Sequence, residues 1–209
     1  MRKWINASFP LIMIFILASF GLKTTNKVVP MSLKVNEPTM VSFPQNEIFT
    51  ESPIVLAPYI GSSYVGFKEA LAFKESRGRY GTVNTLGYLG KYQFGIGTLE
   101  LVGVYNADYF LSNPKLQEKA LMMNIARNKW ILRRDIEKYS GVQIANSNIT
   151  ESGIIAAAHL AGPGNVKKYL RSLGRIDVSD AYGTTIGHYI KLFSGYDISM
   201  IVPKRNARI

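Results

Sequence analysis

Phe73–Gly97 reads F-K-E-S-R-G-R-Y-G-T-V-N-T-L-G-Y-L-G-K-Y-Q-F-G-I-G. It marks the point where a helical pattern gives way to turns. Ahead of it, Ser62 or Ser63 can cap a helix running to about Arg77, with Val65, Phe67, Ala70, Leu71 and Phe73 as apolar faces. Within it, Gly78, Gly81, Gly87, Gly90, Gly95 and Gly97 punctuate a turn-rich stretch where Tyr88 to Phe94 can form a small hairpin. Glu75 therefore stands near the end of an apolar helix, just before the chain reverses. Burial favours the neutral form of a carboxyl group held at such a place, and a neutral acid can protonate a leaving oxygen. Ser76 can hydrogen-bond that carboxylate or a sugar. Tyr80, Tyr88, Tyr92 and Phe94 offer flat apolar surfaces of the kind that hold sugar rings, and Gln93 and Asn84 offer paired donors and acceptors. On composition alone, the same residues also read as a surface glutamate beside glycines needed only for turns.

Working outward, the rest of residues 61–200 reads as helical. A short helix follows from Thr98, with Leu99, Leu101 and Val102 buried. Asn113-Pro114 is a cap followed by proline at the first helical position. The helix it opens runs to Tyr139, with Leu116, Ala120, Leu121, Ile125, Trp130, Leu132 and Ile136 facing inward, and Gly141 ends it. Thr150 begins a helix through Ile154 to His159. Pro163 opens another through Val166, Tyr169 and Leu170, and a last one spans about Thr185 to Phe193. Alternating strand patterns are scarce, so the fold class is mainly α with a small glycine-rich hairpin region.

The spacing of these motifs resembles a family. Glu75-Ser76 at a helix end, followed by Gly87, Gly90 and Gln93 in the pattern G-x-x-G-x-x-Q, is similar to the first two active-site motifs of lytic transglycosylases and goose-type lysozyme relatives. Ala158-His159-Leu160-Ala161-Gly162-Pro163-Gly164 stands in order where that family has A-Y-N-A-G-x-G, with His159 in place of its Tyr and Leu160 in place of its Asn. Tyr189, in H-Y-I-K, matches a late tyrosine that points at the catalytic acid. The resemblance covers about residues 63–195. It implies a lysozyme-like helical domain, cleavage of the β-1,4 bond between N-acetylmuramic acid and N-acetylglucosamine, and peptidoglycan glycan strands as the partner. Glu75 would be the catalytic acid and base, Ser76 would orient it, and Tyr92, Gln93, His159 and Tyr189 would line the substrate site. A single carboxylate suffices in such a reaction, because the 2-acetamido group of the substrate stabilises the cation and its 6-hydroxyl closes a 1,6-anhydro ring.

Two alternatives stay open. A lysozyme-type hydrolase with two carboxylates needs a second acid about 5–9.5 Å from the first. Asp108 and Asp180 are the best placed, although both also read as turn or helix-cap residues, Asp180 as the cap of the last helix. The chain could also be a non-catalytic glycan-binding module. His159 could act as an acid or base, or simply be a hydrogen-bonded core residue.

Composition sets outer bounds. The chain has 209 residues, a formal net charge of +11 and no cysteine. Disulfides, a thiol nucleophile, a Cys-ligated zinc site and a lipidated N-terminal cysteine are excluded. Two histidines do not build a His-rich metal site, and neither metal nor cofactor is expected. Positive charge suits an anionic partner or plain solubility. The basic residues are scattered, which disfavours nucleic acid. Arg2 and Lys3 precede an apolar run, Phe9 to Leu22, of about 14 residues, shorter than the ~20 of a spanning helix. Residues 1–23 therefore read as a signal peptide or a retained signal anchor, and the expected location is the periplasm or cell envelope. Membrane contact is expected only through that segment. Residues 24–60 read as a Pro-containing linker and 201–209 as a basic C-terminal tail.

Overall fold

The computed structural model describes residues 60–209, and they are mainly helical. The expected signal segment at 1–23, and all of the linker before residue 60, lie outside the described residues. Helix α1 spans Tyr64–Ser76. Ser63 caps it by accepting from Gly66 N, and Arg77 ends it in the left-handed region at φ 59° while Gly78 N closes back on Ala72 O at 3.1 Å. Two one-turn helices follow, α2 (Ile96–Leu101) and α3 (Ala107–Ser112), the second capped by the Asn106 side chain. Helix α4 runs for 26 residues, Pro114–Tyr139, with Asn113 as cap and proline in its first turn.

A two-stranded antiparallel sheet, β1 (Gln143–Ile144) and β2 (Ser147–Asn148), turns through Ala145 and Asn146 at φ 47° and 59°. Helix α5 (Glu151–Arg171) is capped by Thr150, and α6 (Ile186–Leu192) by Thr185. Helix α5 packs against both α4 and α6, and Ser152 through Ala158 are buried along its first half. Gly153 permits the close approach of α6. A Cβ there would lie 2.5 Å from Ile190 O, so any side chain would push α6 away. The core around these helices is filled by Phe67, Leu71, Phe94, Phe110, Leu121, Leu132 and Ile154, all 1% exposed or less.

The helices expected at Thr150 and Pro163 are both present as the two halves of α5: Gly162, at φ 78°, ψ 154°, leaves helical geometry between them and Pro163 restarts the helix. Other local expectations change. The glycine-rich stretch holds isolated bridges, Val83–Leu89 and Leu89–Phe94, and no strand. Gly87, Gly90 and Gln93 all take positive φ, so the chain turns too often for a ladder to extend. Leu101 is 47% exposed: on a single turn Leu99 and Val102 share the buried face and Leu101 points away from it. Trp130 is half-buried, held between Arg133 and Arg205 at 4.3 and 5.2 Å from its ring centre. Residues 201–209 are part of the domain and no free tail. Ala207 is fully buried, Lys204 N donates to Ala126 O and Ile209 N to Val102 O. Nearby, the buried Lys129 ammonium donates to Ile198 O at 2.7 Å and pairs with Glu151 at 3.1 Å, tying the chain after α6 to α4 and α5. Among the described residues no helix is long and apolar enough to cross a membrane.

Candidate functional site

Glu75, in the last turn of α1, meets Tyr189, in the middle of α6. The Tyr189 hydroxyl donates to Glu75 Oε1 at 2.6 Å, across a sequence separation of 114 residues. Tyr189 is 2% exposed. Burial, and then the neighbouring Glu75 carboxylate, push its hydroxyl above the usual phenol range, so it remains a donor. Glu75 is half-buried and lines a groove, and the Tyr189 hydroxyl is its only hydrogen-bond partner among the described residues.

The glycine-rich loop forms the adjoining wall, and its shape depends on glycine at one point. Gly90 has φ 75°, and a Cβ there would collide with the carboxamide of Gln117, a buried residue of α4. Gln117 Oε1 accepts from Lys91 N at 2.8 Å, and its Nε2 donates to Tyr80 O and Phe110 O, both at 3.0 Å. Gln93, at φ 50°, folds its side chain back so that Nε2 donates to Gly90 O at 2.8 Å. Ser76 does not orient Glu75. Its hydroxyl donates to Lys91 O at 2.7 Å and accepts from Arg79 N at 3.0 Å, which fastens the end of α1 to the loop.

Tyr92 also departs from expectation. It is fully buried, and its hydroxyl points away from the groove to Glu118, at 2.9 Å from both carboxylate oxygens. There it joins a charged cluster. The Lys91 ammonium, 5% exposed, lies 2.8 Å from Glu69 Oε1 and 2.9 Å from Glu118 Oε1. Lys68 and Tyr80 each donate to Glu118 at 2.7 Å. Burial opposes both charges, but the bonds outweigh it: those from Lys68, Lys91, Tyr80 and Tyr92 lower Glu118 to about 2, and those to Glu69, Glu118 and Tyr80 hold Lys91 above its usual range. The cluster joins α1, the loop and α4, so its role is to brace the wall of the groove. Neither Glu118 nor Gln117 was singled out in the sequence, where both sit in an ordinary polar run at the start of a helix.

The groove has two arms. The narrow one, about 90 Å³, is lined by Glu75, Asn84, Leu86, Tyr88, Gln93, His159, Leu160 and Asp180–Tyr182. The wider one, about 440 Å³, shares Tyr88, Gln93, His159 and Leu160 and continues to Thr98, Leu101, Arg127 and Pro163. That size falls within the ~300–1,000 Å³ of ordinary ligand clefts. His159 sits where the arms join. Its Nε2 faces Tyr92 O at 2.7 Å, and since a carbonyl only accepts, Nε2 carries the proton. Its ring stands edge-on to Phe94 at 5.1 Å. Asp180 is no helix cap: its Oδ1 accepts from Tyr182 N and Thr184 N at 2.9 and 2.8 Å, shaping a turn that faces Glu75's arm, while Thr185 caps α6. The tip of that turn meets the glycine-rich loop through Tyr182 Oη and Thr85 Oγ1, 2.9 Å apart. Asp108 lies in the first turn of α3 and is not among the groove residues.

Of the expected site residues, then, Glu75, Gln93 and His159 line one groove and Tyr189 supports Glu75 from the core. Ser76 and Tyr92 build the wall from behind. Among the described residues no cluster of His, Asp or Glu is arranged to hold a metal ion. Comparison of the chain with protein-family models, with curated proteins and with solved structures found no match.

Proposed function

We propose that residues 60–209 form a lysozyme-like domain that cleaves the β-1,4 bond between N-acetylmuramic acid and N-acetylglucosamine in peptidoglycan, as a lytic transglycosylase. The observation that carries this reading is the state of Glu75: a half-buried carboxyl lining a groove, held by a 2.6 Å bond from a buried tyrosine on Oε1, with no hydrogen bond to Oε2 among the described residues. In the first step Glu75 gives its proton to the glycosidic oxygen as the C1–O bond breaks, and the substrate's acetamido oxygen closes on C1. The carboxylate then takes the proton of the 6-hydroxyl as that oxygen displaces the acetamido group. The product is a 1,6-anhydro ring, Glu75 is again protonated, and no water is consumed. Tyr189 keeps the carboxyl in one orientation throughout. Tyr88 and Leu160 offer apolar surface to the sugar rings, and Gln93, Asn84 and His159 surround them with polar groups.

Asp180 favours a second reading. It lines the same arm as Glu75 and supplies the second carboxylate that a hydrolase needs. Mass spectrometry of the released muropeptides separates the two, since the anhydro product is lighter than the hydrolytic one by one water. Anhydro products that persist in Asp180→Asn support the transglycosylase. Reducing-end products that vanish in Asp180→Asn support the hydrolase. Unchanged wall digestion by Glu75→Gln would overturn both. The reading also needs export, and cell fractionation that finds the chain only in the cytoplasm would count against it.

A further inference from the structure

Charge is distributed unevenly along the groove. The narrow arm carries two carboxylates, Glu75 and Asp180, whereas the wide arm carries one charged side chain, Arg127 of α4. Arg127 is half-buried. Among the described residues its one hydrogen bond runs from Nη1 to the carbonyl of Arg205 at 3.3 Å, a neutral acceptor that does not balance its charge. The ion pairs among the described residues engage Lys68, Lys91, Lys129 and Arg171, and none reaches Arg127. Its neighbourhood is cationic as well, because Arg133 and Arg205 both stack on Trp130. Exposed cations on a basic protein need no partner beyond water. Arg127 differs in facing a concave space walled by Leu101, Ile131 and Pro163, where reduced solvent strengthens attraction for an anion.

We propose that Arg127 forms an anion subsite, which takes a carboxylate carried by a substituent of the bound glycan. This rests on the groove being a glycan cleft. The shared chemistry is a carboxylate one arm away from the scissile bond, and it has two sources in peptidoglycan: the lactyl ether of the muramic ring or the stem peptide attached to it. A guanidinium is suited to either, because its fork of N–H donors matches the two carboxylate oxygens. The subsite would fix which way the strand lies, with its anionic substituent at the Arg127 end and the bond to be cut at Glu75. A polymer of N-acetylglucosamine alone would lack this anchor.

The test is equilibrium binding to the full chain carrying Glu75→Gln, with and without Arg127→Gln or Arg127→Lys. Three hexasaccharide probes are compared: neutral N-acetylglucosamine, alternating glycan with free lactyl carboxylates, and the same glycan with stem peptides. Arg127→Gln is expected to weaken a carboxylate-bearing probe about tenfold, or ~1.4 kcal/mol, to leave the neutral probe within about twofold, and to flatten the salt dependence. Arg127→Lys restores part of the loss. Weakening on the peptide-free alternating glycan identifies the lactyl group, and weakening only on the peptide-bearing probe identifies the stem peptide. Equal weakening on all three probes, or none on any, overturns the subsite and leaves the glycan reading standing. Selective weakening together with no product from the wild-type chain supports the subsite while the enzyme assignment falls. If no probe binds, both fall. Thermal melts within a few degrees of the parent confirm that the variants are folded.

Discussion

Two glutamates lie on opposite sides of the glycine-rich loop's support, and they are treated in opposite ways. Glu118 accepts hydrogen bonds from Lys68, Lys91, Tyr80 and Tyr92. Among the described residues Glu75 accepts from Tyr189 alone. A carboxylate ringed by donors is held ionised and has no capacity left for a substrate. A carboxyl with one donor and a side open to the groove keeps acceptor capacity for a substrate. Counting donors therefore separates a bracing carboxylate from one open to a ligand where residue type and partial burial do not.

The largest effect expected from this contrast is kinetic. Glu75→Gln should lower muropeptide release by ~10³-fold, the middle of the range for removing a general acid, and change stability by less than ~0.5 kcal/mol. Digestion assays paired with urea melts check both halves, and a large stability loss would make Glu75 a second brace. Lys91→Met should show the reverse signature. It removes the buried one of the two lysines that bridge Glu69 and Glu118 and leaves them to Lys68, which should cost ~3 kcal/mol of unfolding free energy. A urea midpoint close to wild type would show that Lys68 and the tyrosines hold the cluster without it.

The contrast also has a pH dependence. Glu118 is lowered from 4.5 to about 2 on folding. Its contribution is therefore complete above about pH 4.5 and is lost as pH falls towards 2, an effect of ~2 kcal/mol. Urea melts across that window should show the decline in wild type and lose that component in Glu118→Gln. The smallest effect belongs to the one donor on Glu75. Tyr189→Phe should lower activity about tenfold, with a stability loss of ~1 kcal/mol. A rate equal to wild type would show that the groove orients Glu75 without the tyrosine.

The helices were largely legible because their ends are local chemistry. Ser63, Asn113 and Thr150 cap helices where their sequence positions put them, whereas Thr185 takes the cap that the sequence pattern offered to Asp180. Glu75 and Tyr189 were legible as a pair only through the order of motifs, since nothing local connects residues so far apart. Ser76 and Tyr92 were misplaced because sequence neighbours of site residues can point either way at a turn. The loop's positive φ at Gly90 and Gln93 sends Tyr92 to Glu118 and leaves Gln93 on the groove. Glu118, Gln117 and Arg127 were not legible at all. A glutamate, a glutamine and an arginine on a long helix look the same whether they meet solvent, a buried lysine or a cleft, and only the packing of α1, the loop and α4 makes the distinction.

The 114-residue separation between Glu75 and Tyr189 also sets an order of events in folding. The 26-residue α4 can form from contacts within one stretch of chain, whereas the Glu75–Tyr189 bond waits until α6 has docked on α5 and the chain between has closed its loops. Helical signal should therefore return early in a refolding experiment, and any activity that depends on Glu75 only with the final docking step. Any species caught between the two would have most of its backbone hydrogen bonds and no working acid. On the proposed function, a chain on such a path would stay inert until its last helix is in place.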